Sequence, residues 1–266
     1  MPVVQPFGST KATDITKKNP PMPKEASIHG RISTGEGTPV GVASRPMSNA
    51  TLGLPEDLHA YLLEVGVREP DILRQLRDET ATLPMSQMQI APEQGALMGL
   101  LAELIGARRY LEVGTFTGYS SLSVALRLPT DGTVTCCDIS TEWTDVARRY
   151  WRAAGVEAMV ELRLAPALET LAALRDEGRS DWYDFAFVDA DKESYPAYHE
   201  AVLDLLRPGG LVAYDNVFQD GAVADPAKNA SNVRAIRALN AFLATDDRVS
   251  LAMVPIADGL TLARKR

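Results

Sequence analysis

The sequence predicts an α/β chain: a doubly wound, mainly parallel seven-stranded sheet with helices on both faces and an antiparallel hairpin at its C-terminal edge. Three observations lead there. From residue 110 onward, short strand-like runs alternate with segments of helical period. The last two apolar runs are joined through Asp258-Gly259, a hairpin signal. The turns after the predicted strands collect glycines and acids, where open parallel sheets bind their ligands.

The elements follow in order. Pro55-Glu56-Asp57 starts a helix, with proline in the first turn and acids at the positive end of the dipole. A second runs from Glu69 or Pro70 towards Thr82 and is closed by Pro84. In a third, Leu97, Leu100, Leu101, Leu104 and Ile105 fall at i, i+3, i+4, i+7 and i+8, one apolar stripe. Then come strand 110–113, helix 118–128, strand 133–138, helix 141–154, strand 159–164 and helix 168–177. Strand 184–189 leads to helix 194–206, which Pro208-Gly209-Gly210 ends. Strand 211–214 and helix 230–245 precede the hairpin of 249–254 and 260–263. Five βα units and a hairpin make the arrangement Rossmann-like.

Composition bounds the function. The chain has 266 residues, 45% hydrophobic and 23% charged, which suits a globular chain with a dense core and excludes collagenous or wholly disordered classes. No apolar run approaches the roughly 20 residues that span a bilayer, and no signal-peptide core is visible. The two cysteines, Cys136 and Cys137, are adjacent and point to opposite faces of a strand, so they form no disulfide framework. A formal net charge of −8 opposes binding to nucleic acid or anionic membranes. The expectation is a cytoplasmic enzyme acting on a small molecule. Residues 1–52 are expected to be a disordered tail, rich in proline, glycine, serine and threonine and without periodicity, and 53–266 a single folded domain.

The first strand ends in Glu112-Val-Gly114-Thr-Phe-Thr-Gly118-Tyr-Ser120. Gly114 and Gly118 allow a sharp turn and close approach to a ligand; a plain tight turn is the simpler account. Asp138, at the end of the next strand, is placed to accept ribose hydroxyls. An NAD(P) site wants G-x-G-x-x-G, but Phe116 stands two after Gly114 and the third glycine is missing. S-adenosylmethionine, which has no phosphate, suits a G-x-x-x-G loop with Glu112 towards its ammonium and Asp138 towards its ribose.

The fourth strand runs into Asp189-Ala-Asp191-Lys192 and the fifth into Asp215-Asn216. Neighbouring parallel strands lie about 4.8 Å apart, so Asp189, Asp215 and Asn216 can form a hard-oxygen half-shell. That set favours Mg²⁺, with Mn²⁺ or Ca²⁺ as substitutes, and the lack of nearby histidine or cysteine argues against zinc. One acid after a strand is often just a helix cap; ligands at two successive strand ends are harder to explain that way. Lys192, ordinarily read as a surface charge, becomes a candidate catalytic base beside such an ion.

Together, L-E-V-G-T-F-T-G-Y-S, C-D-I, A-P-A-L, F-V-D-A-D-K and Y-D-N, with the upstream M-Q-I-A-P-E-Q-G at 88–95, resemble the cation-dependent class I O-methyltransferases of the caffeoyl-CoA and catechol type. The resemblance runs from about residue 55 to the end. It implies S-adenosylmethionine contacts from Ile90, Glu112, Gly114, Thr115, Ser120, Asp138 and Ala167, with Asp191 on the cofactor side. It also implies metal ligation by Asp189, Asp215 and Asn216, Lys192 as base, a vicinal-dihydroxy aromatic acceptor and a homodimer. One departure is Ala165-Pro166-Ala167, where the family has Gly-Pro-Ala. Some bacterial relatives methylate a hydroxylated tRNA base; the acidic charge weighs against that reading, and an NAD(P)-dependent oxidoreductase is the remaining rival. His199 reads as a packed histidine because no carboxylate is in place to orient it, and Trp143 as packing near the cofactor. Tyr195, Phe218 and Asp220 are expected near the acceptor.

Overall fold

The computed structural model describes residues 51–266. Its sheet order is β3-β2-β1-β4-β5-β7-β6. The strands are β1 (Arg109–Val113), β2 (Thr133–Asp138), β3 (Val160–Leu164), β4 (Tyr183–Val188), β5 (Leu206–Asp215), β6 (Val249–Val254) and β7 (Leu260–Lys265). All pairs from β3 to β5 are parallel, and β7 and β6 close the edge antiparallel, as the alternation and the Asp-Gly signal predict. Addition proceeds outward from β1 to β3 and then restarts on the other side with β4. The switch point therefore lies between β1 and β4.

Helices α1 (Glu56–Gly66) and α2 (Asp71–Thr80) precede α3 (Pro92–Leu104), α4 (Tyr119–Ala125) and α5 (Thr141–Ala153). Then follow α6 (Ala167–Asp176), α7 (Tyr195–Leu205) and α8 (Ser231–Leu243). Successive strand residues serve opposite faces. Tyr110, Cys136, Phe185 and Phe187 pack with residues of α2 to α5, while Leu111, Cys137, Ala186 and Val188 pack with α6, α7 and α8. The adjacent cysteines are both buried and free, one in each core. No helix among the described residues is long and apolar enough to cross a membrane.

Two expectations are corrected. The apolar stripe on α3 is only partly buried: Leu97, Leu101 and Ile105 pack against the core, whereas Leu100 is 50% and Leu104 71% exposed, and the fully buried positions are Gly95, Met98, Gly99 and Ala102 among others. Helix α4 comes so close that a Cβ on Gly95 would lie 2.8 Å from Ser123 Oγ, so the approach at that point needs small residues. Secondly, Pro208-Gly209-Gly210 is not merely a helix stop. Strand β5 already begins at Leu206 and passes through it, with a register irregularity between Tyr183 and Phe185 on β4. Pairing with β4 jumps from Leu206 to Leu211, so Pro208 lies where no ladder donor to β4 is required.

The predicted tail lies outside the described residues except for Thr51 and Leu52, which are hydrogen-bonded to the turn before β7. Leu52 N–H donates to the Ala257 carbonyl (2.9 Å), and the Thr51 hydroxyl accepts from Ala257 N–H (3.1 Å).

His199 on α7 is packed, as expected, but it does have a carboxylate partner. Its Nε2 is 3.0 Å from Asp246 Oδ2, just beyond α8, and its Nδ1 is 2.5 Å from the Tyr214 hydroxyl. A neutral ring that accepts from Tyr214 and donates to Asp246 satisfies both. Burial holds its pKa below the ordinary value, with the bond to Asp246 opposing. An unfolded chain protonates histidine near pH ~6.5, so this contribution is complete above that value and is lost as pH falls through it. His199→Gln is therefore expected to lower the melting temperature at pH 7.5 yet reduce its further drop by pH 5.5. Equal drops in the two proteins would exclude this source of acid sensitivity.

Candidate active site

A cavity of about 550 Å³ opens at the carboxyl ends of β1, β2, β4 and β5. Its inner wall is the loop after β1. Gly114 sits at φ +89°, and a Cβ there would be 1.9 Å from the Asp189 carbonyl oxygen, so the loop crosses the end of β4 with no room for a side chain. Asp138 gathers this loop. Its Oδ2 accepts from Thr115 N–H (2.9 Å) and Phe116 N–H (2.8 Å), and its Oδ1 from Ile139 (2.7 Å) and Ser140 (2.8 Å). Phe116 packs its ring against Trp143 at 5.2 Å and lines the cavity, whereas Trp143 backs it from outside.

The opposite wall comes from β4 and β5. Val188 pairs with Tyr214, so Asp189 and Asp215 leave neighbouring strands at one level. Lys192 begins a 3₁₀ turn, Lys192–Ser194, and its Nζ lies 2.7 Å from both Asp189 Oδ1 and the Tyr195 hydroxyl. Asp191 accepts from the Tyr198 hydroxyl at 2.5 Å.

Two acids here are buried without a full set of partners. Asp215 Oδ1 accepts from Asn216 N–H (2.7 Å), but Oδ2 has no partner among the described residues. Burial first, and then the charge of Asp189, push Asp215 up to about 8. Glu112 Oε2 accepts from the Tyr110 hydroxyl (2.8 Å) while Oε1 is likewise unpaired, and burial pushes this group up to about 8. A buried carboxylate in this condition calls for a cation. Among the described residues no three His, Cys, Asp or Glu side chains cluster as a metal site. A cation at this wall would instead rest on two carboxylates and the Asn216 amide, a hard-oxygen set that fits Mg²⁺ and is incomplete without water or substrate oxygens.

Ten predicted site residues line the cavity: Ile90, Gly114, Thr115, Ser120, Asp138, Ala167, Asp189, Asp191, Lys192 and Asn216. Glu112 and Asp215 are buried behind that lining. Of the residues expected near the acceptor, Tyr195, Phe218 and Asp220 are absent from the wall. Gln219 and Asn232 take that place; Asn232 Nδ2 donates to Gln219 Oε1 (2.7 Å), and Gln219 Nε2 to the Asn216 carbonyl (2.9 Å). Left-handed backbone at Asn216, Gln219 and Asp220 turns the loop inward. Polar residues that tolerate this conformation were the available signal, but they do not reveal which side chain faces the cavity.

Residues 63–266 match a family described as O-methyltransferase. Caffeoyl-CoA O-methyltransferase 2 of Zea mays is 42% identical over 219 residues, covering 79% of this chain and 83% of that relative. Catechol O-methyltransferase domain-containing protein 1 of Mus musculus is 43% identical over 213 residues, 79% of this chain and 81% of its own. Among solved structures, the O-methyltransferase TomG from Streptomyces achromogenes, involved in tomaymycin synthesis and in complex with SAM, superposes with a TM-score of 0.70 at 34% identity. That match covers 77% of this chain and 94% of TomG. An O-methyltransferase from Bacillus cereus in complex with SAH gives 0.71 at 33%, over 78% and 96% of the two chains.

Gly114→Ala is expected to cost about 3 kcal/mol, from left-handed backbone and the forced displacement of the Asp189 carbonyl, or roughly 6–12 °C in Tm. An unchanged melting curve would show that the loop has room to move aside.

Proposed function

The chain belongs to the O-methyltransferase family and is an S-adenosylmethionine-dependent enzyme; from this premise we propose that its acceptor is a small vicinal-dihydroxy aromatic and that Asp189, Asp215 and Asn216 hold a divalent cation, Mg²⁺ or a substitute. The observation that carries the proposal is the unpaired, buried Asp215 oxygen opposite Asp189, with the Lys192 amine alongside. A cation bound there would supply Lewis acidity that lowers the pKa of a chelated phenol.

The chain's own groups divide the remaining tasks. The Gly114 loop and Asp138, with Ile90, Thr115, Ser120, Ala167 and Asp191, frame the end of the cavity at β1 and β2 that receives S-adenosylmethionine. Glu112 lies beneath it as the buried counter-charge for the ammonium end. Lys192 accepts the proton that leaves the acceptor hydroxyl. As the new O–CH₃ bond forms, the S–CH₃ bond breaks and its electron pair stays on sulfur, so the sulfonium leaves as a neutral thioether. Holding the two substrates along one wall supplies orientation, worth several kcal/mol. The negative charge of the chain supports a small acceptor over nucleic acid, and the free buried cysteines agree with a reducing cytoplasm. The family resemblance supports a homodimer with residues 53–266 as the catalytic unit.

The deciding experiment is a mass-shift screen for methyl transfer to catechols, caffeoyl esters and flavonoids, each with its mono-hydroxy counterpart, with Mg²⁺ and with EDTA. Transfer to the diols alone, lost in EDTA and restored by Mg²⁺, is expected. Undiminished turnover in EDTA would remove the cation from the proposal. Asp215→Ala should abolish the Mg²⁺ requirement together with most activity while calorimetry still shows S-adenosylmethionine binding. Lys192→Ala is expected to lower kcat by about 10²-fold with little change in S-adenosylmethionine affinity; equal losses in both would assign the lysine a structural part only.

A further inference from the structure

We infer that Tyr195 is a positioning residue, whose hydroxyl fixes the Lys192 amine relative to the ends of β4 and β5; the inference rests on the reading of Lys192 as base. Tyr195 opens α7 and is fully buried, outside the cavity wall. Its hydroxyl meets three groups: the Lys192 amine at 2.7 Å, the Val188 carbonyl at 3.1 Å and the Asp215 carbonyl at 3.2 Å.

The direction of these bonds is forced. A phenol has one proton and two lone pairs, and carbonyl oxygens only accept. Tyr195 therefore donates towards the two carbonyls and receives a hydrogen bond from Lys192. Val188 ends β4 and Asp215 ends β5, so one oxygen atom refers the lysine to both strand ends that carry the proposed cation ligands. The ring adds a second contact, with Nζ 4.8 Å from its centroid.

This anchor has a purpose that the bond to Asp189 does not serve. A lysine side chain gives up much of its rotamer freedom when it is fixed. Its other hydrogen-bond partner is Asp189 Oδ1, a group assigned here to the cation. A carboxylate shared with a cation is a weaker hold on the lysine amine, whereas the tyrosine oxygen is not shared with a cation. The ring is itself wedged against Tyr198 and Tyr214, at 6.3 Å from each, so its oxygen is an immobile reference.

The test is a cycle of Tyr195→Phe and Lys192→Met, assayed with Mg²⁺, S-adenosylmethionine and a catechol acceptor. Tyr195→Phe keeps the ring and is expected to lower kcat about 30-fold, within the range for a catalytic group displaced by an ångström or so. The dissociation constant for S-adenosylmethionine should stay within about twofold, since only a step after binding is affected. In the Lys192→Met background the same substitution should change the remaining rate by less than about twofold, because its target is gone. Wild-type kcat in Tyr195→Phe, or its full loss repeated on top of Lys192→Met, overturns the inference while leaving the base intact. Full activity of Lys192→Met overturns the base reading and the inference with it.

p-Aminophenylalanine at position 195 separates the two duties and serves also where the phenylalanine variant fails to fold. It still donates to the carbonyls but accepts poorly from the lysine N–H. Native thermal stability with low kcat is the expected result; recovery of kcat together with stability would show that tying the strand ends was the whole of its function.

Discussion

The pairing of β4 with both neighbours is the constraint on which the rest depends. Val113 of β1 pairs with Val188 of β4, and Val188 pairs with Tyr214 of β5. Gly114, Asp189 and Asp215 therefore leave three adjacent strands at one level, each about 4.8 Å from the next. Strand β4 is buried along its whole length, on both faces, so a one-residue slip would exchange the residues of two packed cores. Burial at a distance from the cavity thus holds register at its rim.

The same burial makes the rim electrostatically unfinished. Glu112 and Asp215 are enclosed by the strands that place them, and each retains an oxygen with no partner among the described residues. A hydrophobic replacement would cost less in the empty fold, because an uncompensated buried charge destabilises by several kcal/mol or takes up a proton. Burial pushes both groups up to about 8, so their charged forms are favoured by a positive charge beside them. A positive ligand or ion held there, as proposed, would take the place of that proton at the two points where the strands end. The fold gives up stability at these ends in exchange for binding.

How far the sequence could be read follows from the range of each determinant. Gly114, Asp189, Lys192, Asp215 and Asn216 were legible because a strand, its end and the following turn lie within a few residues of one another. The buried face of α3 was not, since the glycines that admit α4 give no apolar signal while Leu100 and Leu104 give a strong one. Proline and glycines likewise hid the early start of β5, where the pairing with β4 skips from Leu206 to Leu211 and leaves them out of the ladder. The partner of His199 stands 47 residues away, and only the packing of α8 against α7 brings Asp246 to it. Gln219 and Asn232 were missed for a similar reason, as their inward direction is set by loop dihedrals and by the placement of α8.

One local spacing does connect sequence to the proposed chemistry directly. Asp189, Lys192 and Tyr195 are three residues apart in turn, and a 3₁₀ turn occupies Lys192–Ser194. Side chains at i and i+3 eclipse in that conformation, which brings Tyr195 beneath Lys192, while Asp189 precedes the turn and is joined to it through an extended Asp191. The lysine amine thereby comes to rest between a carboxylate before it and a phenol after it, both at 2.7 Å. Strand end, tight turn and helix start form a rigid sequence of elements, so the amine is located by backbone on both sides. The long side chain is held by its neighbours in the chain, and the two strands beyond them determine where those neighbours stand.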